Sequence, residues 1–123
     1  MSEFPDIQNG RVSDDLFTLF KFQLVKDFES CALDVAFADH IPQQFDLLCD
    51  VLSKQVAVIS KQSGQNLWQL LYRIDISNQQ IKTHTNHNPQ LLYEQVVAEL
   101  IIKRVLQKVV FKKFYAKKND DSH

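Results

Sequence analysis

Two histidines, His84 and His87, lie three residues apart in the stretch THTNHNP, between two apolar segments. On a helix this spacing puts both imidazoles on one face, where they could bind a transition metal. A stable site needs three or four ligands, and residues 78–90 contain no Cys, Asp or Glu. The sequence also lacks the patterns Glu-x-x-His and His-Glu-x-x-His. We therefore predict no metal or other cofactor and interpret the stretch as a solvated connector between helices.

Glu99 and Lys103 form the most informative charged pair of the sequence. They are four residues apart with the acid first, the order that favours pairing on a helix. At 100° per residue they lie on a side that also carries apolar residues, so they are a candidate for a partly buried ion pair if other helices cover that side. Exposure of both side chains on the surface is the expected outcome.

A nucleic-acid-binding surface is a second hypothesis. Residues 67–84 have the proportions of a helix-turn-helix, whose second helix would display Gln79 and Lys82. Amide and ammonium groups are types that pair with base edges. However, the usual turn glycine is missing, and residues 77–84 contain a single Lys or Arg.

The C-terminal segment is basic, with seven cations and no acid between Lys103 and Lys118. Its candidate contacts with nucleic acid or a protein partner are Lys112, Lys113, Lys117 and Lys118. The same cations could instead compensate the dipole of a helix C-terminus and pair with the acidic N-terminal part of the chain. Residues 1–50 contain ten acidic and three basic side chains. This asymmetry predicts that the two ends lie near each other, within one chain or across a dimer.

The sequence gives little support for other catalytic or ligand-binding sites. Two glycines leave no Gly-rich phosphate loop, and there is no Gly-x-Ser-x-Gly elbow. Tyr72 and Arg73 near Trp68 could line an anion pocket, but we expect Trp68 in the core and Arg73 on the surface. We predict that the protein is not an enzyme.

The secondary-structure elements that position these residues are predicted to be helices, because two Gly and three Pro are too few for a many-stranded fold. Ser13 begins the first helix. We interpret residues 31–37, CALDVAF, as its continuation, although a strand is the alternative. Pro42 breaks this pattern. The next helix carries an apolar stripe over residues 45–59 and is closed by Gly64.

The remaining elements are a helix over residues 67–74, a short helix through about Thr83 and a long last helix. Ser77 and Gln80 match a capping box that begins the short helix. Asn88 and Pro89 are predicted to begin the last helix, which continues to about Lys118 without Gly or Pro. Because this segment is apolar nearly all round, it should be enclosed by the others.

The predicted fold is all-α, a helical bundle of four main helices plus a short connector helix, with the long C-terminal helix central. Residues 1–12 are predicted as an arm, 13–118 as one bundle domain and 119–123 as a disordered tail. No apolar stretch is long enough to predict a membrane span. Cys31 and Cys49 are interpreted as small buried hydrophobes in a reducing compartment, so we expect a cytoplasmic protein.

These features favour a small non-enzymatic interaction or regulatory module. We expect a homodimer, because the last helix carries more apolar surface than its neighbours would cover. The alternative is a nucleic-acid-binding regulator that uses residues 67–84 and the basic end of the last helix.

Overall fold

The computed structural model describes residues 7, 8 and 10–121, with side chains from 10 to 114. In chain order its elements are β1 (Ile7–Gln8), β2 (Arg11–Val12), α1 (Asp14–Ser30), a 3₁₀ helix (Ala36–His40), α2 (Phe45–Gln62), α3 (Gly64–Ile74), α4 (Asn78–His87) and α5 (Tyr93–Asp121). The predicted all-α fold is confirmed. Much of the predicted arm and part of the predicted tail lie outside the described residues. No described helix has the length and apolarity needed to cross a bilayer.

The long helix α5 contacts each of the other four helices. Its middle is buried on all sides but the one that carries Glu99, Lys103 and Gln107, which accounts for a sequence with apolar residues nearly all round. The buried side chains are Val96, Val97, Ala98, Leu100, Ile101, Ile102, Val105, Leu106 and Val109. Among the described side chains of α5, large apolar ones are exposed only towards its ends, at Tyr93, Phe111 and Phe114.

Helix α1 ends earlier than predicted, and residues 31–37 are neither its continuation nor a strand. Ala32 adopts a left-handed φ of 58°, a conformation that ends a helix. The amide of Leu33 then donates to the carbonyl of Phe28, at 3.1 Å. The chain reverses, and Phe37 of the 3₁₀ helix returns to Phe28 with ring centroids 4.9 Å apart. Tertiary packing of the aromatic rings therefore favours the turn over a longer helix.

Two predicted helix boundaries are also wrong. Gly64 does not close α2; it is the first residue of α3, and Ser63 caps that helix by accepting from the amide of Asn66 at 3.2 Å. Asn88 does not begin the last helix; its amide and side chain both donate to the carbonyl of His84, so it caps the C-terminus of α4. Asparagine suits either end of a helix, which is why the sequence alone did not distinguish them.

The predicted start of α4 is confirmed. The Ser77 hydroxyl accepts from the Gln80 amide at 3.1 Å, and the Gln80 side chain accepts from the Ser77 amide at 2.7 Å. Asp75, in the preceding turn, has a left-handed φ of 72°. This residue takes the conformation for which a helix-turn-helix ordinarily uses glycine.

Val12 of strand β2 extends the core beyond the predicted domain boundary. β1 and β2 pair antiparallel, with Ile7 opposite Val12. Val12 is fully buried, and its amide donates to the carbonyl of Gln43 at 3.0 Å. Residue 12 therefore packs with the bundle, although it was assigned to the arm.

Candidate functional site

His84 lies in the second half of α4 and is closer to the core than His87, the other histidine of the THTNHNP stretch. Nε2 of His84 lies 2.8 Å from Oε1 of Glu99 on α5, and the two side chains are only 15% and 24% exposed. A carboxylate only accepts hydrogen bonds, so Nε2 carries the donated hydrogen. The interpretation as a solvated connector is therefore wrong for His84. His87 is exposed, and its Nδ1 lies 2.9 Å from the carbonyl oxygen of Thr83.

An open cavity of about 530 Å³ lies between α4 and α5, and we name it the α4–α5 groove. Four of its lining side chains can carry positive charge, and most of the others are amides or hydroxyls. The lining consists of Gln79, Gln80, Thr83, His84, His87, Asn88, Leu100, Lys103, Arg104 and Gln107. The groove therefore offers many hydrogen-bond donors around one apolar side chain, Leu100.

The structure places Glu99 and Lys103 beside this groove, and both are half-buried. Both side chains are therefore less exposed than the sequence led us to expect, and the ion pair between them stays a candidate. The partner that the sequence did not suggest is His84, fifteen residues before Glu99. A contact between two helices leaves no spacing signal along the chain.

Cys49 on α2 is the cysteine whose thiol is influenced by Glu99. Burial raises the pKa of its thiol to about 12, and the Glu99 and Asp46 carboxylates add to the shift. A thiol with this pKa is protonated at neutral pH and is a poor nucleophile. Burial likewise raises the pKa of Cys31. Within the described residues, no group of three or more His, Cys, Asp or Glu side chains is placed to hold a metal ion.

A second polar centre, which the sequence analysis missed, surrounds the fully buried Asp27 of α1. Its Oδ1 accepts from Nε of Arg73 and Nε2 of Gln23, each at 3.0 Å, and its Oδ2 accepts from Nζ of Lys108 at 3.1 Å. We call these four residues the Asp27 cluster. It joins α1, α3 and α5, and it pairs one acid of the acidic N-terminal part with one cation of the basic C-terminal segment. The sequence did contain a signal for this centre, because Asp27 lies on the same side of the helix as the apolar residues Leu24 and Phe28.

The predicted nucleic-acid contacts are not brought together. Gln79 lines the α4–α5 groove, Lys82 is exposed, and Nζ of Lys112 donates to Oε1 of Gln23 at 2.9 Å. Lys113 is exposed, and the side chains of Lys117 and Lys118 lie outside the described residues. α4 packs mainly on α5. Lys112 is thirteen residues beyond the level of Glu99 and His84, a separation of roughly 20 Å along α5.

The prediction that Trp68 is a core residue is wrong. The buried face of α3 consists of Leu67, Leu70, Leu71 and Ile74. Trp68 and Tyr72 lie on its opposite side, 61% and 76% exposed, with stacked rings whose centroids are 5.8 Å apart. They border a small depression of about 170 Å³. Arg73 is exposed, as expected, and its Nε also reaches the buried Asp27.

No protein-family model, curated protein or solved structure matches this chain. A function is therefore proposed from the geometry of its own residues.

Proposed function

We propose that this chain is a small, non-enzymatic helical interaction module that pairs with a second copy through α3. The observation that carries the proposal is the exposed, stacked pair Trp68–Tyr72. Side chains of this size bury roughly 150–250 Å² each and are enriched at protein interfaces. We name the exposed positions Gln65, Trp68, Gln69 and Tyr72 the α3 face.

A second copy is the occupant that the charge distribution favours. The α3 face has no charged side chain, because the arginine of this helix, Arg73, is turned towards Asp27. A two-fold axis brings the same surface of both copies together, so any charge on it would face a like charge. The net charge of −1 adds little repulsion between copies.

The expected dimer is reversible. Four aromatic side chains contribute roughly 600–1,000 Å² of buried surface, which is below the standard interface of about 1,600 Å². The neighbouring amides extend the contact and can exchange hydrogen bonds across it. We therefore expect a dissociation constant on the order of tens of micromolar, so that both monomer and dimer are populated at that concentration.

A non-catalytic role is supported by the chemistry of the thiols and acids. Cys49 is held protonated by its surroundings, and Asp27 is enclosed by three hydrogen-bond donors. Both cysteines are free, and unpaired thiols are typical of proteins in reducing compartments. We accordingly place the protein in the cytoplasm.

The dimer is tested by sedimentation velocity and by the fluorescence of Trp68, which is the sole tryptophan. With rising concentration, the sedimentation coefficient should increase and the Trp68 emission should shift to the blue as the indole leaves water. Tyr72→Ala should weaken association at least tenfold while keeping the fluorophore. The matched control is Phe22→Ala on α1, which removes a side chain that is also about 70% exposed.

Strictly monomeric behaviour at tens of micromolar would contradict the proposed dimer. Association without a change in Trp68 emission would place the interface elsewhere. Retention on duplex DNA that falls steeply with salt and is lost on substitution of Lys112 and Lys113 would favour the nucleic-acid hypothesis instead.

A further inference from the structure

The lining of the α4–α5 groove includes two cationic side chains and two histidines. Lys103 and Arg104 come from α5, His84 and His87 come from α4, and none of the described lining residues is acidic. Two carboxylates each have a partner among the lining residues of the groove. Glu99 pairs with His84, and Asp75 pairs with Arg104. At about 530 Å³, the groove is in the size range of sites for small molecules, roughly 300–1,000 Å³.

Arg104 is held in this groove by weak contacts. Its Nη2 donates to Oδ2 of Asp75 and its Nη1 to Oε1 of Gln107, each at 2.9 Å. The Asp75 side chain is 86% exposed, and an ion pair with such a partner contributes little. The guanidinium can therefore leave Asp75 with a small loss of stability.

The Nε–H of Arg104 is buried and, among the described residues, has no hydrogen-bond partner. A buried donor without an acceptor is unfavourable, and more so when it belongs to a charged group. Rotation of the guanidinium towards an acceptor in the groove would remove this unfavourable state. Since guanidinium donates in a planar fork, the matching acceptor is a group with two or more oxygens that share a negative charge.

We propose that the α4–α5 groove binds the oxyanion group of a small molecule, a phosphate or a carboxylate. Arg104 turns away from Asp75 and donates hydrogen bonds to two oxygens of the ligand. Lys103 supplies a second positive charge. The amides of Gln79 and Gln107 hydrogen-bond to the rest of the ligand, which rests on Leu100. This site is independent of the proposed dimer, because its lining belongs to α4 and α5 and not to α3.

Two anions serve as probes, inorganic phosphate and citrate, each titrated into ¹⁵N-labelled protein against sodium chloride of equal ionic strength. We expect saturable shifts of amide signals confined to residues 79–88 and 100–107, with a Kd on the order of millimolar for phosphate. Saturation by phosphate alone assigns a phosphoryl ligand, and saturation by citrate alone assigns a carboxylate. Shifts that stay linear in concentration, or that chloride reproduces, would overturn the proposal.

The variants separate the groove from general electrostatics. Arg104→Gln should weaken binding at least tenfold, whereas Lys82→Gln, which removes an exposed charge of α4 outside the lining, should leave it unchanged. Asp75→Asn keeps a residue type that tolerates the left-handed conformation and frees Arg104. It should therefore strengthen binding, by up to about fivefold.

The Asp75→Asn variant also guards against misinterpretation of a folding defect, because a damaged protein would not bind more tightly. Equal weakening by Arg104→Gln and Lys82→Gln, or weaker binding by Asp75→Asn, would show that Arg104 does not hold the anion.

Discussion

The Asp27 cluster and the α4–α5 groove use the same kinds of charged residues on the same helix, but they differ in exposure. Lys108 joins a carboxylate that is fully buried and accepts three hydrogen bonds. About one turn earlier, Arg104 pairs with a carboxylate that is almost fully exposed. A buried pair cannot exchange its partner for water, whereas an exposed pair can exchange it for water or a ligand. The comparison indicates that the first centre fixes the helices and that the second is free to bind.

The largest effect is expected from Asp27→Ala. It leaves Arg73 and Lys108 facing each other without the carboxylate. Because their side chains are 37% and 29% exposed, we expect a loss of about 2–3 kcal/mol, below the about 3–5 kcal/mol of a wholly buried pair. Urea unfolding should show this loss, or the protein should fail to fold. Lys108→Met keeps the Arg73 contact and should be milder. A loss below about 1 kcal/mol for Asp27→Ala would remove the contrast between the two centres.

The second prediction concerns Cys49, because the Glu99 carboxylate helps to raise the pKa of its thiol. With a pKa of about 12, little of the thiol is ionised at pH 8. The higher nucleophilicity of a basic thiolate offsets part of this loss. Iodoacetamide should therefore alkylate Cys49 in the folded protein about 40- to 100-fold more slowly than free cysteine, as followed by peptide mass mapping. Labelling at the rate of free cysteine would show an open and reactive site.

The third prediction tests whether α4 and its groove can be perturbed alone. Ser77→Ala removes half of the capping box and should lower the free energy of unfolding by about 1 kcal/mol. Hydrogen exchange should accelerate over residues 78–87 and remain slow around Asp27. The matched control is Ser60→Ala, an exposed serine within α2. Faster exchange throughout the bundle would show that the two regions unfold together.

The smallest effect is expected from Glu99→Gln, which keeps an oxygen that accepts from His84 but removes the charge. Because the pair is only partly buried, we expect a loss of about 0.5 kcal/mol, measured by thermal unfolding. The contrast with Asp27→Ala is the purpose of this variant. A loss as large as that of Asp27→Ala would make the groove a structural centre as well.

Local patterns predicted a good part of this molecule. The capping box at Ser77 and Gln80 depends on four consecutive residues, and the structure reproduces both of its hydrogen bonds. The apolar periodicity of residues 96–109 predicted a helix surrounded by others, and α5 contacts all four. Where a pattern fits two places equally well, as Asn88 fits either end of a helix, the sequence-based boundary was wrong.

The sequence by itself determined that the chain is helical, which segment lies at its centre and that charge is divided between its ends. These properties follow from spacing along one helix, where neighbours are three or four residues apart. Only the tertiary structure decided that Asp27 meets Arg73 and Lys108, that His84 meets Glu99, and that Trp68 faces outward. Those outcomes depend on which helix faces which, and that is set by the packing of the whole core.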